Sequence, residues 1–419
     1  MGDVTGMDIR IELKASDPHS RFLPPRAMKY VLRDYQREAS IAAVRAFTSK
    51  KANNGLLILP TGAGKSLVIA DIASKLDGPL LVFQPSKEIL EQNFAKLQSY
   101  GIWDCGVYSA SVGFKQIRRI TFATIGSVMN HMEDFAHFKN VMIDECHNVN
   151  SKAGQYKEFL EAADRRVVGL TATPYRLCSY MGGSTLKFLT RTRPRIFSDV
   201  LYFCQISDLL AKGYLAKLRY FDCTKLDMSR VTSNSTGADY DDKSLKLEYE
   251  RVGFKDQLSS TTMRVLHPKN GVPRNGVLVF TRYIDEADML AHRLRNVGIN
   301  AAIVTGETPK KERESILEDF KAGRTKVVAN VGTLTTGFDY PELDTVILGR
   351  PTKSLALYYQ MVGRAIRPCK GKDGWIVDLG GSFKRFGDVG DLKIGLEYPG
   401  TSRWCISSRG KQLTNVLFQ

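Results

Sequence analysis

The segment that most constrains the fold of this chain runs from residue 55 to residue 70 and reads GLLILPTGAGKSLVIA. Gly62 and Gly64 let several backbone N–H groups point at one spot, and the positive end of the following helix adds to that field. Lys65 can reach the phosphates of a nucleotide, and the Ser66 hydroxyl can hold Mg²⁺. The expected phosphate-binding loop consists of Thr61, Gly62, Ala63, Gly64, Lys65 and Ser66. A turn without a ligand stays the alternative, because the first glycine of the strict phosphate-loop pattern is absent.

A glutamine about one helix upstream of this loop is placed to contact a nucleotide base. Gln36 and Arg33 lie in the segment 30–38, which leads into a helical pattern that ends near Phe47. A glutamine amide can both donate to and accept from the edge of an adenine. We therefore assign Gln36 and Arg33 to a nucleotide site by position, since a single surface glutamine carries little information.

Strand and helix patterns alternate after the loop. Apolar strands are expected near residues 79–85, 104–108, 119–123, 141–143 and 167–170. Strands separated by helices form a parallel sheet, and functional groups gather at the carboxyl ends of its strands. The residues at those ends are Pro85, Ser86, Lys87, Thr124, Gly126, Asp144, Glu145 and His147.

Two adjacent acids follow one of these buried strands. Asp144 is placed to hold Mg²⁺, directly or through water, and Glu145 to orient or deprotonate an attacking water. Adjacent acids on a turn are usually solvated charges. Here they follow a strand of the sheet that carries the phosphate loop, which favours the catalytic interpretation.

Size and charge exclude several classes of protein. The 419 residues are enough for two or three domains, and no apolar run approaches the roughly 20 residues of a membrane helix, so we expect a cytoplasmic protein. Seven cysteines without a Cys-x-x-Cys pair argue against disulfides and zinc. The formal net charge of +16 favours a nucleic-acid partner, with a generic basic protein as the alternative.

Three motifs in order resemble the first RecA-like lobe of a superfamily-two helicase of the DEAD/DEAH group: Gly-Lys-Ser at 64–66, Asp-Glu-Cys-His at 144–147 and Thr-Ala-Thr-Pro at 171–174. The resemblance implies ATP and Mg²⁺ as cofactors, with Gln36 contacting adenine. It also implies that Thr171, Thr173 and His147 couple ATP to nucleic acid. The residues that it assigns to nucleic-acid contact are Pro85, Ser86, Lys87, Thr124 and Gly126.

A second strand and helix pattern begins near residue 276 and lacks a phosphate loop of its own. Its segments 335–339 and 360–367 match motifs five and six of that family. Arg364 and Arg367 are three residues apart, so on a helix both would face one side and reach the γ-phosphate. The other residues assigned in this lobe are Gly337 and Asp339 at the nucleotide, Gln360 in coupling, and Thr335 and Arg282 at the nucleic acid.

A basic and aromatic segment lies between the two patterns, at residues 187–197. Its composition suits phosphate contact by Arg191, Arg193 and Arg195 together with base stacking. A charged linker whose phenylalanines are buried is the alternative. The polar run 233–242 is expected to be an exposed loop.

The closest likeness is to the RadD-type repair helicases of bacteria and their phage relatives, over about residues 28–379. It rests on the segments 59–70, 169–176, 213–215, 334–339 and 350–352. The resemblance implies a single-stranded or branched DNA substrate, in the cytoplasm of a bacterial cell or a phage-infected host. We expect the chain to depart from those proteins near Cys405, without their cysteine-rich zinc region.

We therefore expect an α/β protein with two tandem RecA-like domains, each a mostly parallel sheet flanked by helices. The expected boundaries are an N-terminal extension at 1–27, a first domain at 28–190, a second domain with a helical or loop insert at 191–395, and a tail at 396–419. The expected activity is that of a monomeric, ATP-dependent DNA helicase or translocase. An RNA helicase of DEAD-box type and a nucleic-acid clamp that does not unwind are the alternatives.

Overall fold

The computed structural model of the protein describes residues 31–50, 54–180, 183–269, 271–335 and 338–418. Within these ranges the chain forms two lobes, each built on a largely parallel sheet, and a smaller C-terminal sheet. No helix in these ranges is long and apolar enough to cross a membrane.

The first lobe begins with α1, whose Tyr35, Ala39 and Ala43 are buried against the sheet. Its elements are α1 (Asp34–Thr48), β1 (Gly55–Ile58), α2 (Lys65–Lys75), β2 (Leu80–Phe83), α3 (Lys87–Ser99), β3 (Cys105–Ser109), β4 (Phe114–Lys115), β5 (Ile120–Ala123), α4 (Ile125–Met129), β6 (Asn140–Ile143), α5 (Gln155–Glu161), β7 (Arg166–Thr171), β8 (Tyr175–Tyr180), β9 (Gly183–Phe188), β10 (Asp199–Phe203) and α6 (Ile206–Ala211).

The first sheet has the strand order β10-β1-β7-β6-β2-β5-β3-β4 within the described residues. Only the short β4 is antiparallel to its neighbour. Every residue of β1 and β2 is buried, because helices cover both faces of a parallel sheet and its strands can be apolar throughout. The loops that follow β1, β2, β5, β6 and β7 therefore meet at one edge of this sheet.

The second lobe repeats this plan without a phosphate loop. Its elements are β11 (Leu218–Asp222), α7 (Asp242–Val252), α8 (Phe254–Leu266), β12 (Val277–Thr281), α9 (Ile284–Asn296), β13 (Ala301–Val304), α10 (Lys310–Lys321), β14 (Val327–Val331), β15 (Thr345–Leu348), α11 (Leu355–Val362), β16 (Gly374–Asp378) and α12 (Ser382–Phe386). The described part of its sheet has the order β11-β16-β15-β12-β14-β13, with parallel neighbours throughout.

The chain then returns to the first lobe. A three-stranded sheet forms from β17 (Leu392–Leu396), β18 (Trp404–Ser408) and β19 (Lys411–Gln412), and β20 (Leu417–Phe418) pairs with β9. The Trp404 indole N–H donates to Asp199 Oδ1 at 2.7 Å, and its ring packs against Phe203 with centroids 5.4 Å apart.

Two expected boundaries are therefore corrected. The first lobe does not end at residue 190, because β10 adds to the outer edge of β1 and completes the first sheet. The segment expected as a C-terminal tail, residues 396–419, is part of the folded protein as far as residue 418, because Ile406 and Leu413 are buried and the strands around them pack on the first lobe.

Candidate active site

The phosphate loop connects β1 to α2 at the edge of the first sheet. Gly62 and Gly64 have φ of +82° and +76°, in the left-handed region that favours glycine. A Cβ at Gly64 would lie 2.6 Å from Gln36 Nε2, so the close approach of Gln36 also requires a glycine there. Lys65 and Ser66 form the first turn of α2, whose free N–H groups favour an anion.

Gln36 and its neighbour Tyr35 bind the phosphate loop through hydrogen bonds to its backbone. The Gln36 amide donates to Ala63 O at 2.8 Å and accepts from the Arg33 N–H at 3.0 Å, and the Tyr35 hydroxyl donates to Ala63 O at 2.9 Å. The Arg33 guanidinium lies 4.2 Å from the ring centre of Tyr214. Gln36 therefore ties the loop to α1 in this structure, and its contact with adenine stays a prediction.

The two acids follow β6, next to β2. Glu145 has a φ of +48°, a conformation that costs a non-glycine residue about 1–2 kcal/mol. Its carboxylate Oε1 accepts from Lys65 Nζ at 2.7 Å, so the structure joins the acid to the phosphate loop. Burial, and then the neighbouring Glu145, raises the pKa of Asp144 to about 6. Burial opposes the ionisation of Glu145, but Lys65 and His147 hold its pKa below the usual range.

The expected coupling residues form a chain of contacts across the lobes. His147 Nδ1 lies 3.3 Å from Glu145 Oε2 and 3.0 Å from Thr171 Oγ1. The Thr173 N–H in turn donates to Thr171 Oγ1 at 2.9 Å. On the other side, His147 Nε2 lies 3.4 Å from Gln360 Nε2 of the second lobe. The structure thus brings His147, Thr171, Thr173 and Gln360 together beside the acids.

A second contact joins the lobes at the phosphate loop itself. The buried Tyr359 of α11 accepts a hydrogen bond from the Thr61 N–H through its hydroxyl, at 3.0 Å. A Cβ at Gly363 would lie 2.9 Å from Thr61 Cγ2, so only glycine allows this approach. The sequence carries no signal for the role of Tyr359, because nothing in a tyrosine next to Gln360 indicates a partner some 300 residues away.

The two arginines of motif six do not lie on a helix, contrary to expectation. α11 ends at Val362, and the chain then turns at Gly363 beside the phosphate loop. Arg364 is buried and donates to Phe338 O at 2.6 Å, while Arg367 forms an ion pair with the exposed Asp339. Burial lowers the pKa of each arginine to about 10, so both stay charged at neutral pH. Gly337, assigned to the nucleotide, lies outside the described residues.

A groove of about 570 Å³ runs along the first lobe and reaches the acids. It is lined by the five residues after β2 and β5 that were expected at the nucleic acid, which are Pro85, Ser86, Lys87, Thr124 and Gly126, and also by Asp144 and Glu145. Thr335, one of the two residues expected at the nucleic acid in the second lobe, is half-buried and donates its N–H to Thr333 O at 2.7 Å. The groove therefore connects the five expected nucleic-acid residues after β2 and β5 to the acids Asp144 and Glu145.

Arg282 is not available for the nucleic-acid contact that we expected. Its guanidinium pairs with Asp239 and Asp242, each at 2.9 Å, and donates to Tyr240 O at 2.9 Å. Its side chain is only 10% exposed. Residues 233–241 thus form a loop that leads into α7, and Asp239 and Asp242 bind this segment to Arg282 of the second lobe.

The basic and aromatic segment does not offer rings for base stacking. Phe188 and Phe197 are buried, and the Phe197 ring together with Cys146 Sγ leaves no room for a side chain at Gly169. Arg191 pairs with Glu397 of the C-terminal sheet at 2.6 Å. Arg193 and Arg195 are exposed, and their contact with nucleic acid stays a prediction.

The sequence matches two family models, "Type III restriction enzyme, res subunit" over residues 29–176 and "Helicase conserved C-terminal domain" over residues 260–369. A 51.5 kDa protein of Lactococcus phage (isolate 7-9) is 26% identical over 323 residues, which cover 76% of this chain and 64% of the phage protein. The DNA 3'-5' translocase XPB2 of Sulfurisphaera tokodaii is 25% identical over 383 residues, 84% of this chain and 82% of that protein.

Among solved structures, a fragment described as the HsdR subunit of a type I restriction enzyme from Vibrio vulnificus YJ016 has the same fold. It superposes with a TM-score of 0.64 at 23% identity, over 86% of this chain and 67% of that one. Fold and site together define a two-lobed protein of the RecA-like class, with a phosphate loop on one lobe and arginines on the other. The matched models place the chain in the superfamily-two helicases. It spans less than two thirds of the phage relative.

Proposed function

We propose that the protein is an ATP-driven DNA helicase or translocase. The observation that carries this proposal is the split site, in which Lys65 and Glu145 of the first lobe are joined to the second lobe. The joining contacts are Tyr359 to Thr61 and Gln360 to His147. A site divided between lobes links the state of the nucleotide to the relative position of the lobes. Its product is motion along a strand rather than a phosphorylated metabolite.

The residues of the site fit ATP hydrolysis with Mg²⁺. The Ser66 hydroxyl and the Asp144 carboxylate are oxygen ligands of the kind that Mg²⁺ prefers, and the ion neutralises phosphate charge when it is bound. The Lys65 ammonium lies 2.7 Å from the Glu145 carboxylate, and it would hold the phosphates of a bound nucleotide. The Glu145 carboxylate would orient the attacking water. Arg364 and Arg367 stabilise charge on the γ-phosphate from the second lobe.

DNA is the proposed substrate. The net charge of +16 supports a polyanion, and the groove beside the acids supports contacts to its backbone. One relative is named a DNA 3'-5' translocase, which favours DNA over RNA. Backbone contacts carry little sequence information, so binding depends on salt more than on sequence. We also propose, from the sequence resemblance to RadD-type proteins, a role in DNA replication, recombination or repair.

The first test is the ATPase rate with single-stranded DNA, with single-stranded RNA and without nucleic acid. We expect DNA to stimulate the rate, and Lys65→Ala or Glu145→Gln to reduce the stimulated rate by at least about 100-fold. Lys75→Ala is the matched control, because it removes the same charge from the far end of α2. Stronger stimulation by RNA supports the RNA helicase, and full activity of Glu145→Gln contradicts the proposed mechanism.

A further inference from the structure

Helix α3 begins at the groove and passes beside the acidic pair. Ser86 caps the helix by accepting the Ile89 N–H at 3.4 Å, and Pro85, Ser86 and Lys87 line the groove. The whole of α3 is described, and its buried residues are Leu90, Asn93, Phe94 and Leu97. Asn93 is the polar member of this set and is 4% exposed. A buried amide on an apolar helix face needs hydrogen-bond partners.

Asn93 has two partners, and one of them is a catalytic acid. Its Nδ2 donates to Asp144 Oδ2 at 3.1 Å and to Gln84 Oε1 at 2.9 Å. The other carboxylate oxygen of Asp144 accepts the Glu145 N–H at 2.9 Å. Both oxygens of Asp144 are therefore held by donors, which fixes the orientation of the carboxylate.

Gln84 lies at the same edge of the sheet as Asp144. Phe83 and Ile143 are paired in the parallel strands β2 and β6, so the next residue of each strand emerges side by side with the other. Gln84 also lines the groove and precedes Pro85. Its Nε2 is buried without a hydrogen-bond partner among the described residues. The unpaired Nε2 donor therefore belongs to a residue that both lines the groove and contacts Asn93.

We propose that Asn93 is a positioning residue that holds Asp144 for its metal ion and links it, through Gln84, to the groove. This inference rests on the proposed function and deepens it, because it names how groove occupancy reaches the nucleotide site. Asn93 is seven residues from Ser86, or about 10 Å along a rigid helix. Movement of the first turn of α3 therefore moves Asn93 with it. Coupling between two binding sites is reciprocal, so it can be measured from either side.

The test measures the affinity of fluorescent ADP with Mg²⁺ or with EDTA, each with and without oligothymidylate. The measured quantity is the ratio of ADP affinity with Mg²⁺ to ADP affinity with EDTA. We expect this ratio to be about 10-fold smaller in Asn93→Leu, because residues that orient metal ligands contribute about that factor to metal affinity. Affinity in EDTA stays unchanged, which a general loss of structure does not produce. Gln98→Leu is the control, since it makes the same amide-to-leucine change in the last turn of α3.

Two further variants keep the test decisive. If Asn93→Leu fails to fold, Asn93→Ser takes its place. The short serine hydroxyl cannot reach both Asp144 and Gln84, so we expect the same loss of the Mg²⁺ effect on ADP affinity. Gln84→Leu leaves the contact between Asn93 and Asp144 in place, so we expect the effect of Mg²⁺ on ADP affinity to stay within about twofold of wild type. The effect of DNA on ADP affinity should be largely lost, because this variant removes the link to the groove. Unchanged Mg²⁺ and DNA effects in soluble Asn93 variants overturn the inference. A wild-type protein whose ATPase ignores DNA overturns the proposed function instead.

Discussion

At the scale of single residues, the site depends on contacts that cross between the lobes. Tyr359 is buried and its hydroxyl is held by the Thr61 N–H of the phosphate loop. Its neighbour Tyr358 is equally buried, but donates to Gly387 O at 2.7 Å within the second lobe. Two adjacent tyrosines therefore have different roles, one between the lobes and one inside a lobe.

Tyr359→Phe removes the hydroxyl that spans the cleft and leaves the Thr61 N–H without its partner. We expect the closed arrangement of the lobes to be less stable by about 1 kcal/mol, which corresponds to roughly a fivefold fall in kcat/KM for ATP. Steady-state ATPase kinetics with saturating DNA measure this change. Tyr358→Phe is the matched control and is expected to lower thermal stability instead. Equal kinetic effects of the two substitutions contradict the interlobe role of Tyr359.

Local chemistry explains which of these residues the sequence could predict. The loop around Lys65 and the acid Glu145 are encoded by short segments, whose glycines and strand ends fix their geometry. The contacts of Tyr359 with Thr61 and of Asn93 with Asp144 could not be predicted. The partners are distant in sequence, and no local motif marks either residue. The pairing of Arg282 was missed for the same reason, since Asp239 approaches from a loop with no periodic pattern.

At the scale of elements, the loop before α7 is a structural part of the second lobe. Asp239 and Asp242 both form ion pairs with Arg282, which lies just after β12. The helix that follows, α9, begins with Glu286 folded back onto the chain. Its Oε2 accepts the N–H groups of Arg282 and Tyr283 at 3.1 and 3.2 Å. One short turn thus fixes both the loop and the start of a helix.

Arg282→Ala tests the structural role that replaces our original expectation. Removing the guanidinium leaves two carboxylates beside each other without their cation. Since Asp242 is exposed and Asp239 is half-buried, we expect a loss of about 2 kcal/mol rather than the larger cost of breaking a fully buried pair. Thermal denaturation measures this loss, and fluorescence anisotropy should show DNA affinity within about twofold of wild type. Weaker DNA binding with unchanged stability contradicts the structural role.

Glu286 gives the second lobe a pH-dependent stability. Burial is the main cause that raises its pKa from 4.5 to about 7. The folded state then binds more protons than the unfolded state between these values, so the free energy of unfolding falls as pH rises through this window. Denaturation of wild type and Glu286→Gln from pH 5 to pH 8 should show the variant gaining relative stability, by about 3 kcal/mol at most. A difference that does not depend on pH contradicts this account.

At the scale of the whole molecule, the second lobe is tied to the first on both sides. The chain enters it after α6 and leaves it for the C-terminal sheet, where Trp404 packs on Phe203 and β20 extends the hairpin of β8 and β9. Alternating strands and helices predicted the two lobes correctly. The return of the C-terminal strands could not be predicted, because they are short and their partners lie some 200 residues earlier.

The central claim is that ATP hydrolysis in the split site drives movement on DNA. The direct measurement is displacement of streptavidin from oligonucleotides that carry biotin at one end or the other. We expect ATP to drive displacement from one end only, and Glu145→Gln to abolish it while still binding DNA. If the wild type hydrolyses ATP with DNA but displaces streptavidin from neither end, or does so equally with a non-hydrolysable ATP analogue, the account of this protein as a motor is wrong.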